Sequence, residues 1–211
     1  MKKFMLLFMV GGFIFNVNAQ QDDTQKAKKI LDDLSIETKK FKTVILDFKL
    51  SIKGTDVNTT SSGKAKTKGA SFYYETEDRK VFSDGKTVWT FLVDENECYI
   101  DNLSEVDGGI NPTELLNIWE KNFKYVYSKE ISTGIHEIKL FPIDTKKSKY
   151  HTVILTVDSV KKRISKVVIK TNDNVLIQFT ISVLTPNQEI SDDLFKWNKA
   201  KFKGVTEIDN R

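Results

Sequence analysis

The chain has 211 residues, of which 39% are hydrophobic, 29% charged and 11% aromatic. That suits one domain, or two small ones, with enough apolar material for a sizeable core, and 14 Phe, 6 Tyr and 3 Trp exclude a disordered chain. A single Cys excludes an internal disulfide framework and a multi-cysteine metal centre, and two His leave little for zinc or acid–base chemistry.

Lys2 and Lys3 form a positive head, Phe4 to Val17 is an almost uncharged apolar run, and Val17-Asn18-Ala19 ends in the small residues that signal peptidase prefers. Residues 1–19 are expected to be a cleavable signal peptide and residues 20–211 a single exported mature domain. The run is short for a membrane anchor, and no Cys follows it to carry a lipid. Without Lys2 and Lys3 the formal charge falls from +4 to +2, with 31 basic against 29 acidic residues left. Nucleic acid is not expected as a partner. Only Arg79, Arg163 and Arg211 are Arg, so the basic residues read as solvated lysines.

Asp22 to Lys40 reads as an amphipathic helix, with Ala27, Ile30, Leu31 and Leu34 on one face. The period then changes to two. Thr43 to Lys53 is a long strand, about 35 Å at 3.3 Å per residue, with Val44, Leu46, Phe48, Leu50 and Ile52 on one side. Thr59 to Lys68 returns with Lys64, Lys66 and Lys68 on one face and Gly63, Ala65 and Thr67 on the other. Large side chains thus oppose small ones, which reads either as complementary packing or as a partly unfilled inner face. The lysines read as protection of an edge strand, or as a stripe that steers an anionic partner.

Ser71 to Thr76, Lys80 to Ser83, Lys86 to Val93 and Glu97 to Asn102 follow as strands, with Asp84-Gly85 as a hairpin turn tolerant of positive φ. After an irregular loop, Asn111 as N-cap, Pro112 at the first helical position and Glu114 at capping-box spacing start a short helix rich in Leu115, Leu116, Ile118 and Trp119. Lys124 to Lys129, Ile135 to Phe141, Tyr150 to Val157, Arg163 to Thr171 and Val175 to Val183 complete the strands before an aromatic tail. The expected class is mainly β with α: a curved antiparallel sheet of about 10–11 strands, an unclosed barrel covered by a helical lid.

No nucleophile elbow, phosphate loop or metal-binding helix motif is present, and no metal, cofactor or catalytic residue is expected. His136 reads as a solvent-facing residue on the polar side of its strand. Cys98 reads as buried and inert.

Taken together, the chain resembles the LolA family, the periplasmic carriers of outer-membrane lipoproteins. The resemblance runs through Ala27-x-x-Ile30-Leu31-x-x-Leu34, Phe41, Leu46-Asp47-Phe48, and the hairpin Phe82-Ser83-Asp84-Gly85-Lys86-Thr87-Val88-Trp89. It continues through Asn111-Pro112 and the close from Phe195 to Asp209 with Phe202-Lys203-Gly204-Val205. Two features depart from the family. The lid-latching arginine is replaced around Lys68, Gly69 and Ala70, and the proline of the closing segment is absent from Lys199 to Val205.

The resemblance implies a monomeric, non-enzymatic carrier whose cavity shields the acyl chains of lipoproteins. It also implies an inner-membrane ABC lipoprotein-release transporter and an outer-membrane receptor or acceptor membrane as partners. The expected cavity wall is Leu46, Phe48, Leu50, Phe72, Tyr74, Trp89 and Phe91, and the expected lid Leu31, Leu34, Leu115, Ile118 and Trp119. The alternatives are a periplasmic lipid- or lipoprotein-sensing regulator on the same fold and a carrier of another lipid.

Overall fold

The computed structural model describes residues 17–106 and 111–211. All but the last three residues of the expected signal peptide, and the end of the irregular loop, lie outside the described residues.

The first helix, α1 (Val17–Thr38), buries Ala27, Leu31 and Leu34, spaced four and three apart on one face. Its outer side carries the Lys28–Asp32 and Lys29–Asp33 pairs one turn apart. Six strands follow: β1 (Thr43–Lys53), β2 (Asn58–Lys68), β3 (Ser71–Glu75), β4 (Arg79–Ser83), β5 (Thr87–Leu92) and β6 (Glu97–Asn102). Short turns make them an antiparallel meander. In the turn before β5, Gly85 takes a left-handed φ of 91°, while the Asp84 carboxylate accepts from the backbone N–H groups of Lys86 and Thr87, both at 2.9 Å.

The lid is a single turn of helix, α2 (Pro112–Leu115), followed by a 3-10 turn at Ile118–Glu120. Five long strands complete the chain's second half: β7 (Phe123–Ser132), β8 (Ile135–Pro142), β9 (Tyr150–Asp158), β10 (Arg163–Thr171) and β11 (Leu176–Pro186). The tail makes two 3-10 turns and ends in β12 (Thr206–Asp209).

All strands among the described residues join one 12-stranded sheet in the order β12-β6-β5-β4-β3-β2-β1-β11-β10-β9-β8-β7. The two halves meet where β1 pairs with β11, with a register shift at Asp47/Phe48 that sharpens the local twist. β12 and β7 are the two edges, so the barrel is unclosed. The count exceeds the expected 10–11 because the tail adds β12, which runs parallel to β6.

β2 lies inside the sheet between β1 and β3. Its lysines therefore do not guard an edge, and that expectation is corrected. The opposition of large and small residues is packing complementarity: Leu46 faces Ala65 and Phe48 faces Gly63, and the Phe48 ring lies over the glycine.

Candidate functional site

The sheet's concave side carries the larger of the two apolar layers. Successive ladder partners place Val44, Thr67, Phe72, Ser83 and Val88 in one row, and Leu46, Ala65, Tyr74 and Val81 in the next. The Phe48 ring stacks on Phe179 of β11 at 4.8 Å and meets Tyr74 edge-on at 6.4 Å. Burial of Tyr74 pushes its phenol up to about 12.

Alternate residues of the second half extend this surface: Ile138 and Leu140 of β8, Val153, Leu155 and Val157 of β9, and Val167 of β10 are all buried in the same layer. Sequence reasoning left them out of the wall. The signal that carries them is the period-2 pattern of β9, which sets Val153, Leu155 and Val157 on one face.

Two chain segments cover this surface. From α1 come Ala27, Leu31 and Leu34, and from the lid come Leu116, Ile118 and Trp119, with Leu115 partly buried against them. The lid forms where it does because the Asn111 side chain accepts from Thr113 N at 3.0 Å and Glu114 N at 3.3 Å, and Pro112 needs no N–H partner in the first turn.

The covering segments are tied to each other at the rim. Trp119 Nε1 donates to Ser35 Oγ at 2.7 Å, and Lys39 pairs with Glu120 at 3.3 Å. Between them opens a cleft of about 340 Å³ lined by Leu31, Asp32, Ser35, Lys39, Trp119, Glu120 and Tyr125. Leu31 and Trp119 are its buried apolar part, and charged side chains form its rim.

The expected wall is therefore only partly gathered on the concave side. Leu46, Phe48, Phe72 and Tyr74 belong to the concave layer with Leu50 packed against it, together with every expected lid residue. Trp89 and Phe91 do not. The ladder sets Trp89 beside Phe82, and Phe82 beside Tyr73, on the convex side opposite Phe72 and Tyr74.

There the tail closes a second apolar layer. Phe195, Trp197 and Phe202 pack on Tyr73, Phe82, Trp89 and Phe91, with Trp197 stacked on Phe202 at 4.3 Å. Trp197 Nε1 donates to Glu207 at 2.7 Å. Lys68 anchors the start of the tail through Asp192 at 2.7 Å and the Ile190 carbonyl at 3.1 Å.

His136 is also corrected. It shares the inward face of Ile138 and Leu140 and is 8% exposed. Ser159 Oγ lies 3.1 Å from the Gly134 carbonyl and can only donate to it. It therefore accepts from His136 Nε2 at 3.0 Å, which leaves Nδ1 to accept from the Tyr127 hydroxyl at 3.2 Å. Cys98 sits in the convex layer, fully buried, with its thiol pushed up to about 12 by that burial and secondarily by the Glu207 charge. The sheet stands between this thiol and His136, so the two do not form a nucleophile–base pair.

The open sheet thus holds an apolar concave face under α1 and a short lid. The family described as outer membrane lipoprotein carrier protein LolA matches residues 17–173. The chain belongs to that family. No curated protein matches it in sequence. Among solved structures, an uncharacterized conserved protein from Thermus thermophilus has a TM-score of 0.56 at 11% identity, covering 88% of this chain and 100% of its own. A DUF1329 family protein from Desulfovibrio piger reaches 0.51 at 11% identity, over 86% of this chain and 99% of that one. A LolA superfamily protein from Nitrosomonas europaea gives 0.44 at 12% identity, over 81% and 97%. At these identities the likeness is one of fold. Within the LolA family frame, Lys68 does not stand in for a lid latch, because its ammonium is engaged by the convex-side tail.

Proposed function

We propose that this LolA family member is a non-enzymatic periplasmic carrier that takes the acyl chains of lipoproteins onto the concave face of its sheet and moves them from the inner to the outer membrane. The observation that carries the reading is the concave apolar layer, covered by one helix and one short lid rather than by a second sheet. At about 0.8 kcal/mol per CH₂, a sixteen-carbon acyl chain bare in water costs roughly 12 kcal/mol. A carrier has to offset most of that and still release its cargo.

Leu31, Leu34, Leu116, Ile118 and Trp119 now fill the concavity. An acyl chain takes their place against Leu46, Phe48, Phe72, Tyr74 and Phe179 when α1 and the lid part. Exchange of one apolar contact for another keeps the net affinity modest, which suits a protein that must load and unload. Residues 1–19 act as the cleaved export signal, an inner-membrane ABC transporter loads the carrier, and an outer-membrane receptor or acceptor membrane unloads it. No reacting group is needed at any step.

The test is release. The processed chain beginning at Gln20 is added to spheroplasts that are synthesising lipoproteins, and the supernatant is examined for a one-to-one complex. Such a complex supports the reading. Extraction of a different lipid alone, or a stable complex with a non-acylated protein, contradicts it.

A further inference from the structure

The most exposed large apolar side chain among the described residues, Val160, lies at one end of the second half-sheet. Val160, in the turn between β9 and β10, is 79% exposed, and Ile131, just before the turn between β7 and β8, is 50% exposed. The two turns touch: a Cβ placed on Gly134 of the first would lie 2.9 Å from Val160 Cγ2 of the second.

Both turns are held. Ser159 donates its backbone N–H to the Gly134 carbonyl at 2.8 Å and its hydroxyl to the same oxygen at 3.1 Å. His136 fixes that hydroxyl from below at 3.0 Å. Asp158 accepts from Val160 N at 3.1 Å and from Lys161 N at 2.9 Å, and Glu130 accepts from Gly134 N at 2.9 Å. The result is one braced tip with aliphatic side chains in water.

The charge around it is ordered. The acids of the tip, Glu130 and Asp158, accept from backbone N–H groups of the turns, and Asp158 also faces Lys161 at 3.7 Å. Lys129, Lys161 and Lys162 are exposed beside the apolar residues. Lysines rather than arginines make point charges suited to a layer of headgroups more than to bidentate recognition of one group. A few aliphatic side chains together with a few lysines are two weak signals that bind an anionic interface reversibly.

The tip and the cleft lie on opposite flanks of α1. The cleft opens beside Asp32, Ser35 and Lys39. On the other flank, Asp33 and Glu37 are held low by their bonds to Lys29 and Lys40, with Lys162 adding to both.

We propose that the paired turns at Ile131–Gly134 and Asp158–Lys162 form a membrane-contact tip, in which Val160 and Ile131 enter the interface of an anionic bilayer while Lys129, Lys161 and Lys162 meet its phosphates. This surface is separate from the concave face, and it stands or falls independently of the cargo assigned there.

The experiment uses the processed chain with vesicles of phosphatidylethanolamine and phosphatidylglycerol, against vesicles of phosphatidylcholine alone. Sedimentation measures binding. A dye on Val160→Cys reports the tip, since Cys98 is buried and unreactive. Binding to the anionic vesicles with a blue shift of the dye is the expected result. Val160→Asp and Ile131→Asp each weaken it by about tenfold, and each of Lys161→Gln and Lys162→Gln by about fivefold. These positions are exposed, so circular dichroism of the variants stays unchanged. Vesicle binding with an unmoved dye, equal binding to neutral vesicles, or full binding by the double Asp variant overturns the proposal. So does tip binding that appears only with a partner protein. Lipoprotein release is scored separately, so failure here leaves the carrier reading in place, and failure there leaves this one.

Discussion

Phe48 and Gly63 face each other across β1 and β2, and the ring of one occupies the space where the other would carry a side chain. A Cβ on Gly63 would lie 2.6 Å from Phe48 Cζ and 2.2 Å from the Glu75 carbonyl oxygen. The second contact is with backbone and cannot be relieved by rotating a side chain. Gly63→Ala is expected to destabilise the fold by about 1–3 kcal/mol, and Gly63→Val by more. Urea unfolding followed by circular dichroism measures both, and an unchanged midpoint for Gly63→Val counts against the packing described.

Trp119 and Ser35 tie the lid to α1. Trp119→Phe and Ser35→Ala each remove the same hydrogen bond, so their effects on stability overlap, with a coupling of about 1 kcal/mol in a double-mutant cycle. Either substitution speeds uptake of a fluorescent fatty acid if the lid has to lift. Additive effects with unaltered uptake contradict the role given to this contact.

Much of the fold was legible because the chain alternates cleanly. The expected spans of the strands now labelled β1 to β11 differ from the observed ones by a few residues, and the N-cap at Asn111 lies where its side-chain chemistry puts it. Alternation, however, states which residues share a face and not which face is concave. Trp89 and Phe91 are expected on the inner wall with Phe48 and Phe72, yet the tail builds a second apolar layer for them outside. His136 is a different case: the period of two already puts it on the apolar face with Ile138 and Leu140, and only the polarity of its own ring argues for the other side. β12 is four residues with no alternation to detect, and its pairing depends on where the tail is anchored.

The tail's hold on the convex face is apolar before it is ionic. Lys68→Ala breaks a solvated pair and should cost less than about 1 kcal/mol. Phe195→Ala removes a ring that is 2% exposed and should cost about 3–5 kcal/mol. Thermal unfolding of the two variants gives the order, and a Lys68→Ala loss as large as that of Phe195→Ala contradicts it.

Burial raises the Cys98 thiol from 9.0 and the Tyr74 phenol from 10.0, each to about 12. A raised folded-state value means that the stability these neutral groups contribute is complete below the unfolded values and is lost as pH climbs through the folded ones. Stability is therefore expected to fall between about pH 9 and pH 12. Phenolate absorbance should rise together with loss of the near-ultraviolet circular dichroism, and Cys98 should resist a thiol reagent until the chain unfolds. Prompt labelling of Cys98 in the folded protein contradicts its placement.

The three tryptophans divide between the two faces, with Trp119 in the concave layer and Trp89 and Trp197 in the convex one. The most direct measurement of where an acyl chain binds is quenching by a brominated fatty acid, read in the protein and in its Trp119→Phe variant. The account predicts saturable quenching in the protein that is lost in Trp119→Phe, with Trp89 and Trp197 unaffected. Quenching that persists undiminished in Trp119→Phe would place the acyl chain on the convex side and contradict the concave site.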